Sequence, residues 1–281
     1  MKILRDIKKM QALASGIKKR SESIGFVPTM GALHEGHLSL MRLARQENDY
    51  VIVSIFVNPV QFGPREDFKK YPRSLQRDSL LCKNQGVDFI FYPQLDSMYP
   101  ADYKTYVSVE GLSQRLCGHF RPGHFRGVVT VVTKLFNIVQ PMRAYFGQKD
   151  AQQVTVIKKM VSDLNIPVQI RVLPTLREDD GLAMSSRNSY LSQAERIQAR
   201  VLFQALCLAK DLIRKGNHNP ASIIAKMRRL IKEKKSASIQ YIFAVDPQTL
   251  EPVKKIKGKV LVVLAVYIGE TRLIDNIVVN S

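Results

Sequence analysis

The chain has 281 residues, 45% of them hydrophobic, which is enough to bury a substantial core, and its length favours two domains. Its formal charge of +19 implies attraction to polyanions without choosing among nucleotides, nucleic acid and anionic membranes; no signal peptide or membrane span is expected, since the basic start (Lys2, Arg5, Lys8, Lys9) runs into more charge and no run approaches the roughly 18 apolar residues a span needs. Cys82, Cys117 and Cys207 are far apart and odd in number, which disfavours a disulfide framework or zinc site and points to a reducing cytoplasm.

Taken in chain order, apolar runs of strand length alternate with amphipathic stretches through the first 175 residues: IGFVPT, YVIVSIFVN, VDFIFYP, AYFGQ and VQIRVLPT. Such alternation predicts parallel βαβ units. Leu33 to Gln46 reads as a helix with Leu33, Leu40, Leu43 and Ala44 on one face. Val128 to Val139 has helix length but β-branched content and is expected to be a buried helix; Gln152 to Leu164 is a further helix, closed by Pro167.

After Asn188 two helical segments follow, Ser192 to Lys215 and Ala221 to Lys234, with Ser192 as N-cap. The basic run KMRRLIKEKK is read as a solvated face. Three strand-like runs, Ile239 to Val245, Lys259 to Tyr267 and Arg272 to Val279, are separated by turn signals and predict an antiparallel sheet. The expected architecture is α/β: a Rossmann-like, parallel-sheet nucleotide-binding domain over residues 1–176, then a smaller α+β lobe with antiparallel strands over 177–281. The charged loop REDDG marks the boundary.

The sharpest local signal is PTMGALHEGH, Pro28 to His37, between the first of these strands and its helix. A strand-to-helix junction presents backbone N–H groups and the positive end of the helix dipole, a receptor for phosphate. Gly31 and Gly36 would allow close approach, and His34 and His37 would share one helical face. The segment alone admits two readings, imidazoles donating to phosphate or histidines that cap and pack locally. HEGH lacks the histidine spacing of a zinc motif. Further on, MSSRN (Met184 to Asn188) combines hydroxyls with Arg187, suited to phosphates, or is an ordinary loop at the start of a helix.

HxGH after a first strand, followed by MSSRN where a KMSKS-like loop stands, resembles the nucleotidyltransferase superfamily. More specifically, FVPTMGALHEGHLSL, FVNPVQFGPREDFKKYPR, RPGHFRGVVTVVTKLFNIVQP, YFGQKDAQQ and DGLAMSSRN resemble the pantothenate synthetase (pantoate–β-alanine ligase) family over essentially the whole chain. The resemblance implies ATP-dependent condensation of pantoate with β-alanine through a pantoyl adenylate, releasing diphosphate and then AMP. It implies that Met30, Gly31, Ala32, Leu33, His34, Glu35, Gly36 and His37 hold ATP, with His37 catalytic. It further implies ATP contacts from Gly147, Gln148, Lys149 and Asp150, Lys149 reaching the phosphates, and from Met184, Ser185, Ser186 and Arg187. Gln61 would bind pantoate and β-alanine, with Asn58 nearby, and Gln153 would hold pantoate. Leu176 stands where the family usually has a valine giving a main-chain contact to adenine, which an apolar replacement preserves.

Neutral amides such as Gln61 and Gln153 suit pantoate, because they bind its carboxylate without neutralising it. An ionised carboxylate needs no general base to attack phosphorus, so His34, His37, Lys149 and Arg187 are expected to act by stabilising phosphoryl charge. ATP brings magnesium; Asp150 either reaches it or orients Lys149, and Asp78 is a weaker candidate ligand. His124 and Arg126, in RPGHFRG, either shape the pantoate pocket or an entrance loop, or belong to a loop fixed by its own hydrogen bonds. An RNA-binding protein of synthetase type and a simple nucleotidyl transfer are rival readings; neither accounts for the small-substrate blocks, so no nucleic acid or membrane partner is expected. The resemblance implies a homodimer, and the position of MSSRN suggests that the C-terminal lobe acts as a lid.

Overall fold

The structure is a computed structural model, described here over residues 1–64 and 66–281. Its helices and strands, in chain order, are β1 (Lys2–Leu4), α1 (Ile7–Lys19), β2 (Ile24–Thr29), α2 (Glu35–Glu47), β3 (Tyr50–Ile55), α3 (Leu75–Asn84), β4 (Phe89–Phe91), α4 (Leu95–Met98), α5 (Cys117–Phe120), α6 (His124–Val139), β5 (Arg143–Gly147), α7 (Ala151–Asp163), β6 (Gln169–Leu173), α8 (Gln193–Ala199), α9 (Val201–Arg214), α10 (Pro220–Lys232), β7 (Ala237–Val245), β8 (Lys259–Ile268) and β9 (Thr271–Asn280). Two compact units divide the chain. The first comprises Met1–Gln114, Gly118–Gly147 and Val156–Leu173; the second comprises Arg115–Cys117, Gln148–Thr155 and Pro174–Ser281.

This division differs from a single cut after residue 176, because two short segments early in the chain are tied to the later one by side-chain hydrogen bonds. Asn276 Nδ2 donates to the carbonyls of Gln148 and Lys149 at 3.0 and 2.9 Å. Gln152 bridges the Cys117 N–H and the Arg115 carbonyl, and Arg115 in turn reaches Thr249 and Glu251. Gln148, Lys149, Asp150 and Gln153 therefore belong to the second unit.

In the first unit a six-stranded sheet runs in the order β1-β4-β3-β2-β5-β6, and every pairing is parallel. β2 and β3 are nearly continuous apolar runs because helices cover both faces of such a sheet. The chain steps outward from β2 through β3 to β4, then resumes on the other side of β2 with β5 and β6. The carboxyl ends of β2 and β5 thus flank a topological switch point, where open α/β sheets bind ligands. The short edge strand β1, absent from the sequence reading, is only three residues long and pairs with β4.

Val128 to Val139 is helical, as part of α6, and Val128, Val129, Val131, Val132, Leu135 and Phe136 are buried. Phe136 meets Phe26 of β2 edge-on, with ring centroids 6.4 Å apart. Each fully buried side chain of this size contributes roughly 1.5–3 kcal/mol relative to exposure, which lets burial override the modest helix propensity of valine.

The second unit packs α8, α9 and α10 against a three-stranded antiparallel sheet, β7-β8-β9. Leu202, Leu206, Met227 and Ile231 from the helices meet Ile242, Val262 and Leu264 from the strands in one core. The expected helix Ser192–Lys215 is interrupted at Arg200, which ends α8 and begins α9. Ser192 forms a capping box with Glu195, as its place before the helix predicts. Lys226, Arg229 and Lys232 on α10 are exposed, consistent with a solvated basic face.

Candidate active site

The histidine segment follows β2 at the switch point. α2 starts at Glu35 and not at Leu33: Gly31 and Ala32 adopt left-handed φ values of 81° and 50°, so the chain turns before the helix begins. Glycine suits the first position because it has no steric penalty there; an added Cβ would also lie 2.9 Å from Asp78 Oδ2. The alanine at φ 50° is held by Asp78, whose Oδ2 accepts the Ala32 N–H at 2.9 Å and whose Oδ1 accepts the Leu33 N–H at 3.0 Å. Asp78 is 1% exposed. This candidate ligand is thus not a solvated acid on the face of its helix: its carboxylate is a buried clamp on the loop. The Ala32 and Leu33 amides correspondingly face this carboxylate, which is not the outward phosphate cradle expected of the junction.

The imidazoles occupy the start of the helix. His34 is the N-cap, its Nδ1 accepting the Gly36 N–H at 3.2 Å, while His37 Nδ1 accepts the His34 N–H at 3.3 Å. The ring centroids are 4.1 Å apart. A neutral imidazole that accepts at Nδ1 carries its proton on Nε2. The pair is both a local cap and a pair of Nε2–H donors, so the two readings of the motif are compatible. Glu35, in the first helical turn, forms an ion pair with Arg42.

A second constellation in the same unit surrounds Gln61. Its Oε1 accepts from Asn58 Nδ2 at 3.1 Å, and its Nε2 donates to Met30 Sδ at 3.1 Å, which links the NPVQF turn to the histidine loop. Asn58 is 1% exposed and also donates to the Gly127 carbonyl at 3.0 Å; its Oδ1 is buried with no hydrogen-bond partner among the described residues. The RPGHFRG loop supports the turn from behind. Arginine only donates, so the 3.0 Å contact from Arg121 Nη1 makes His124 Nε2 an acceptor, and His124 Nδ1–H donates to the Gln61 carbonyl at 2.8 Å.

Arg121 is itself held by Glu66 through two 2.6 Å bonds. Burial pushes the Glu66 carboxyl upward, but the Arg121 pair outweighs it and leaves the group below its ordinary value. Gly127 allows α6 to approach: an added Cβ would lie 2.5 Å from the Val60 carbonyl oxygen. His124 thus belongs to the support of Gln61, whereas Arg126 stacks over Tyr106 at 3.9 Å. Sequence reasoning missed Glu66 and Asp78 as structural partners. The burial of Asp78 lay within reach, since it shares a helical face with Leu75 and Cys82 and an acid there needs donors, but the amides that it meets did not.

Gly147 ends β5, in the first unit. In the second unit Gln148–Asp150 forms a 3-10 turn leading into α7, whose first turn carries Gln153. The Leu176 carbonyl accepts from the Met184 N–H at 3.0 Å. Ser185 caps the 3-10 turn Ser186–Tyr190 by accepting the Arg187 N–H at 3.3 Å. Asn188 anchors this loop to Glu178 and to the Ala183 carbonyl. His34, His37, Met30, Asn58 and Gln61 are thus gathered in one unit, and Lys149, Asp150, Gln153, Leu176 and Met184 to Arg187 lie in the other. Among the described residues no three His, Cys, Asp or Glu side chains are grouped to hold a metal. No helix among them is long and apolar enough to cross a membrane.

The profile of the Pantoate-beta-alanine ligase family matches residues 2–278. The chain is 57% identical over 281 residues to a pantothenate synthetase of Caldicellulosiruptor bescii, covering all of both sequences. It resembles the crystal structure of a pantothenate synthetase from Thermus thermophilus with a TM-score of 0.94 and 44% identity over 99% of each chain. A pantoate-beta-alanine ligase from Francisella tularensis, complexed with beta-gamma ATP and beta-alanine, aligns with a TM-score of 0.80 and 38% identity over 99% of this chain and 97% of that one.

Proposed function

The chain belongs to the pantoate-beta-alanine ligase family, and from that premise we propose how its residues divide the ATP-dependent joining of pantoate to β-alanine. The enzyme is a ligase that forms a C–N bond. In the first step the pantoate carboxylate attacks the α-phosphorus of ATP and expels diphosphate, giving pantoyl adenylate. In the second the β-alanine amine attacks the acyl carbon, AMP leaves, and the amine sheds a proton.

The observation that carries this assignment of roles is the pair of Nδ1 caps at the start of α2. They engage Nδ1 of each neutral ring and so put its proton on Nε2, as a donor, in two rings whose centroids are 4.1 Å apart, which suits phosphate oxygens better than it suits a base. Donors fixed before the reaction lose little free energy to reorganisation as charge develops. His34 and His37 therefore stabilise charge at the phosphoryl group, with Lys149 and Arg187 assigned to the same triphosphate. Gln61 Nε2 has a second N–H for the pantoate carboxylate, and Asn58 Oδ1, unpartnered among the described residues, suits a substrate hydroxyl or ammonium. Gln153 is assigned to pantoate, and Leu176 and Met184 to Ser186 to the nucleotide.

Asp150, partly exposed beside Lys149, is the carboxylate we assign to magnesium. A single protein oxygen suits an ion whose other ligands are phosphate and water, and magnesium there would neutralise triphosphate charge. The free thiols of Cys82, Cys117 and Cys207 suit a reducing cytoplasm, and the family resemblance implies a homodimer.

The test is isotopic. Pantoate labelled with 18O in its carboxylate, incubated with ATP and β-alanine, should yield pantothenate with one labelled oxygen transferred to AMP. Unlabelled AMP would exclude the acyl adenylate.

A further inference from the structure

Two segments assigned to the triphosphate, Gln148–Asp150 and Met184–Arg187, lie in the same unit, and both are fastened to one dipeptide of β9. Successive side chains on a strand point to opposite faces of the sheet. Asp275 points to the face covered by helices and binds Arg177 through both carboxylate oxygens, at 2.7 and 3.0 Å. Arg177 also donates to the Gly181 carbonyl and stacks over Phe203, fixing the REDDG loop. Its neighbour Glu178 accepts from Asn188 Nδ2 at 2.6 Å, directly after Arg187.

On the other face Asn276 donates to the Gln148 and Lys149 carbonyls, and its Oδ1 accepts from Gln148 Nε2 at 3.2 Å. Both residues are almost fully buried, at 3% and 4% exposure. Burial raises the Asp275 carboxyl, and the charges of Arg177 and Lys149 oppose that rise, so the Lys149 ammonium lies within electrostatic reach of this acid.

We infer that Asp275 and Asn276 are positioning residues for adenylation, holding Lys149 on one face of β9 and the Ser185–Arg187 loop on the other in a fixed mutual register. The inference rests on the proposed assignment of Lys149 and Arg187 to the triphosphate. Neither Asp275 nor Asn276 touches the reacting atoms; each acts through the backbone or loop that it holds. A strand is suited to this work because its ladder to β8 pairs Leu264 with Asp275 and Val263 with Asn276, leaving it little freedom to shift.

The test separates the two half-reactions in Asn276→Leu, which keeps the side-chain size and removes both donors and the acceptor. Diphosphate release in a single turnover should slow by about a hundredfold, the usual cost of an ångström-scale misplacement. Amide formation from supplied pantoyl adenylate and β-alanine should stay within about twofold of wild type, since the triphosphate is then absent. Adenylation at the wild-type rate, or both half-reactions falling together in step with a lowered Tm, would overturn the inference. If Asn276→Leu does not fold, Asn276→Ser carries the same comparison. Lys149→Ala, measured in parallel, keeps the premise apart: if it leaves adenylation unchanged, the phosphate assignment fails, whereas a slow Lys149→Ala beside a fast Asn276→Leu defeats only the role of β9.

Discussion

Replacing Asp78 by asparagine should unsettle the nucleotide loop although Asp78 need not touch a ligand. Its two oxygens accept the Ala32 and Leu33 amides at 2.9 and 3.0 Å, and the side chain is buried. Asparagine keeps the shape but offers one oxygen, so one backbone N–H would face an amide NH2 group. An unsatisfied buried donor costs about 1–3 kcal/mol, and the remaining bond loses its charge assistance, about 1 kcal/mol more.

The left-handed Ala32 adds to the effect, because a non-glycine residue in that region carries about 1–2 kcal/mol of strain that only surrounding contacts hold in place. We expect Asp78→Asn to lower unfolding free energy by about 2–4 kcal/mol and to slow adenylation at least about tenfold, since the same loop delivers His34 and His37. Urea denaturation and single-turnover diphosphate release measure the two effects. A stability change below about 0.5 kcal/mol, typical of an uninvolved surface site, together with an unchanged rate would refute the clamp.

The support behind Gln61 makes two further predictions. Gly127→Ala should drive α6 away from the NPVQF turn, because its Cβ would meet backbone atoms of Val60 and Gln61 at 2.5 and 2.6 Å; a pantoate titration should show a KM raised about tenfold or more, and an unaltered KM would show that the turn yields without moving Gln61. Glu66, whose carboxyl is held below its ordinary value of 4.5, stabilises the fold fully above that value and loses its contribution as pH falls through the lower folded-state value. The Tm difference between wild type and Glu66→Gln should therefore be constant above about pH 5.5 and shrink as pH falls below the ordinary carboxylate value; a difference that grows on acidification would contradict the sign.

Much of this organisation was legible in the residues. The five apolar runs became β2 to β6 because strands buried on both faces have little room for polar side chains, and the three strand-like runs from Ile239 onward, separated by turn signals, marked the second sheet. β1 was not legible, since three residues at an edge carry no period. The break at Arg200 likewise interrupts a continuous helical pattern with no proline or glycine to announce it.

The site was readable as motifs, but the partners that hold those motifs were not. Asp78, Glu66 and Asn276 act across separations of 45, 55 and 128 residues, and no local pattern records which amide or guanidinium such a side chain will meet. The histidines illustrate the same limit: their spacing suggested one helical face, whereas His34 lies outside the helix as its cap, because the turn at Gly31 and Ala32 delays the first helical residue to Glu35.

The central claim is that the imidazole pair stabilises charge during adenylate formation and does not serve as a base or simply hold substrate. Single-turnover diphosphate release by His37→Ala, with pantoate affinity measured on the same preparation, tests it most directly. Loss of one preorganised donor predicts a rate lower by about a hundred- to a thousandfold, or about 2.7–4 kcal/mol, with pantoate binding within a few-fold of wild type. Adenylation at the wild-type rate, or a loss explained wholly by weaker pantoate binding, would contradict it.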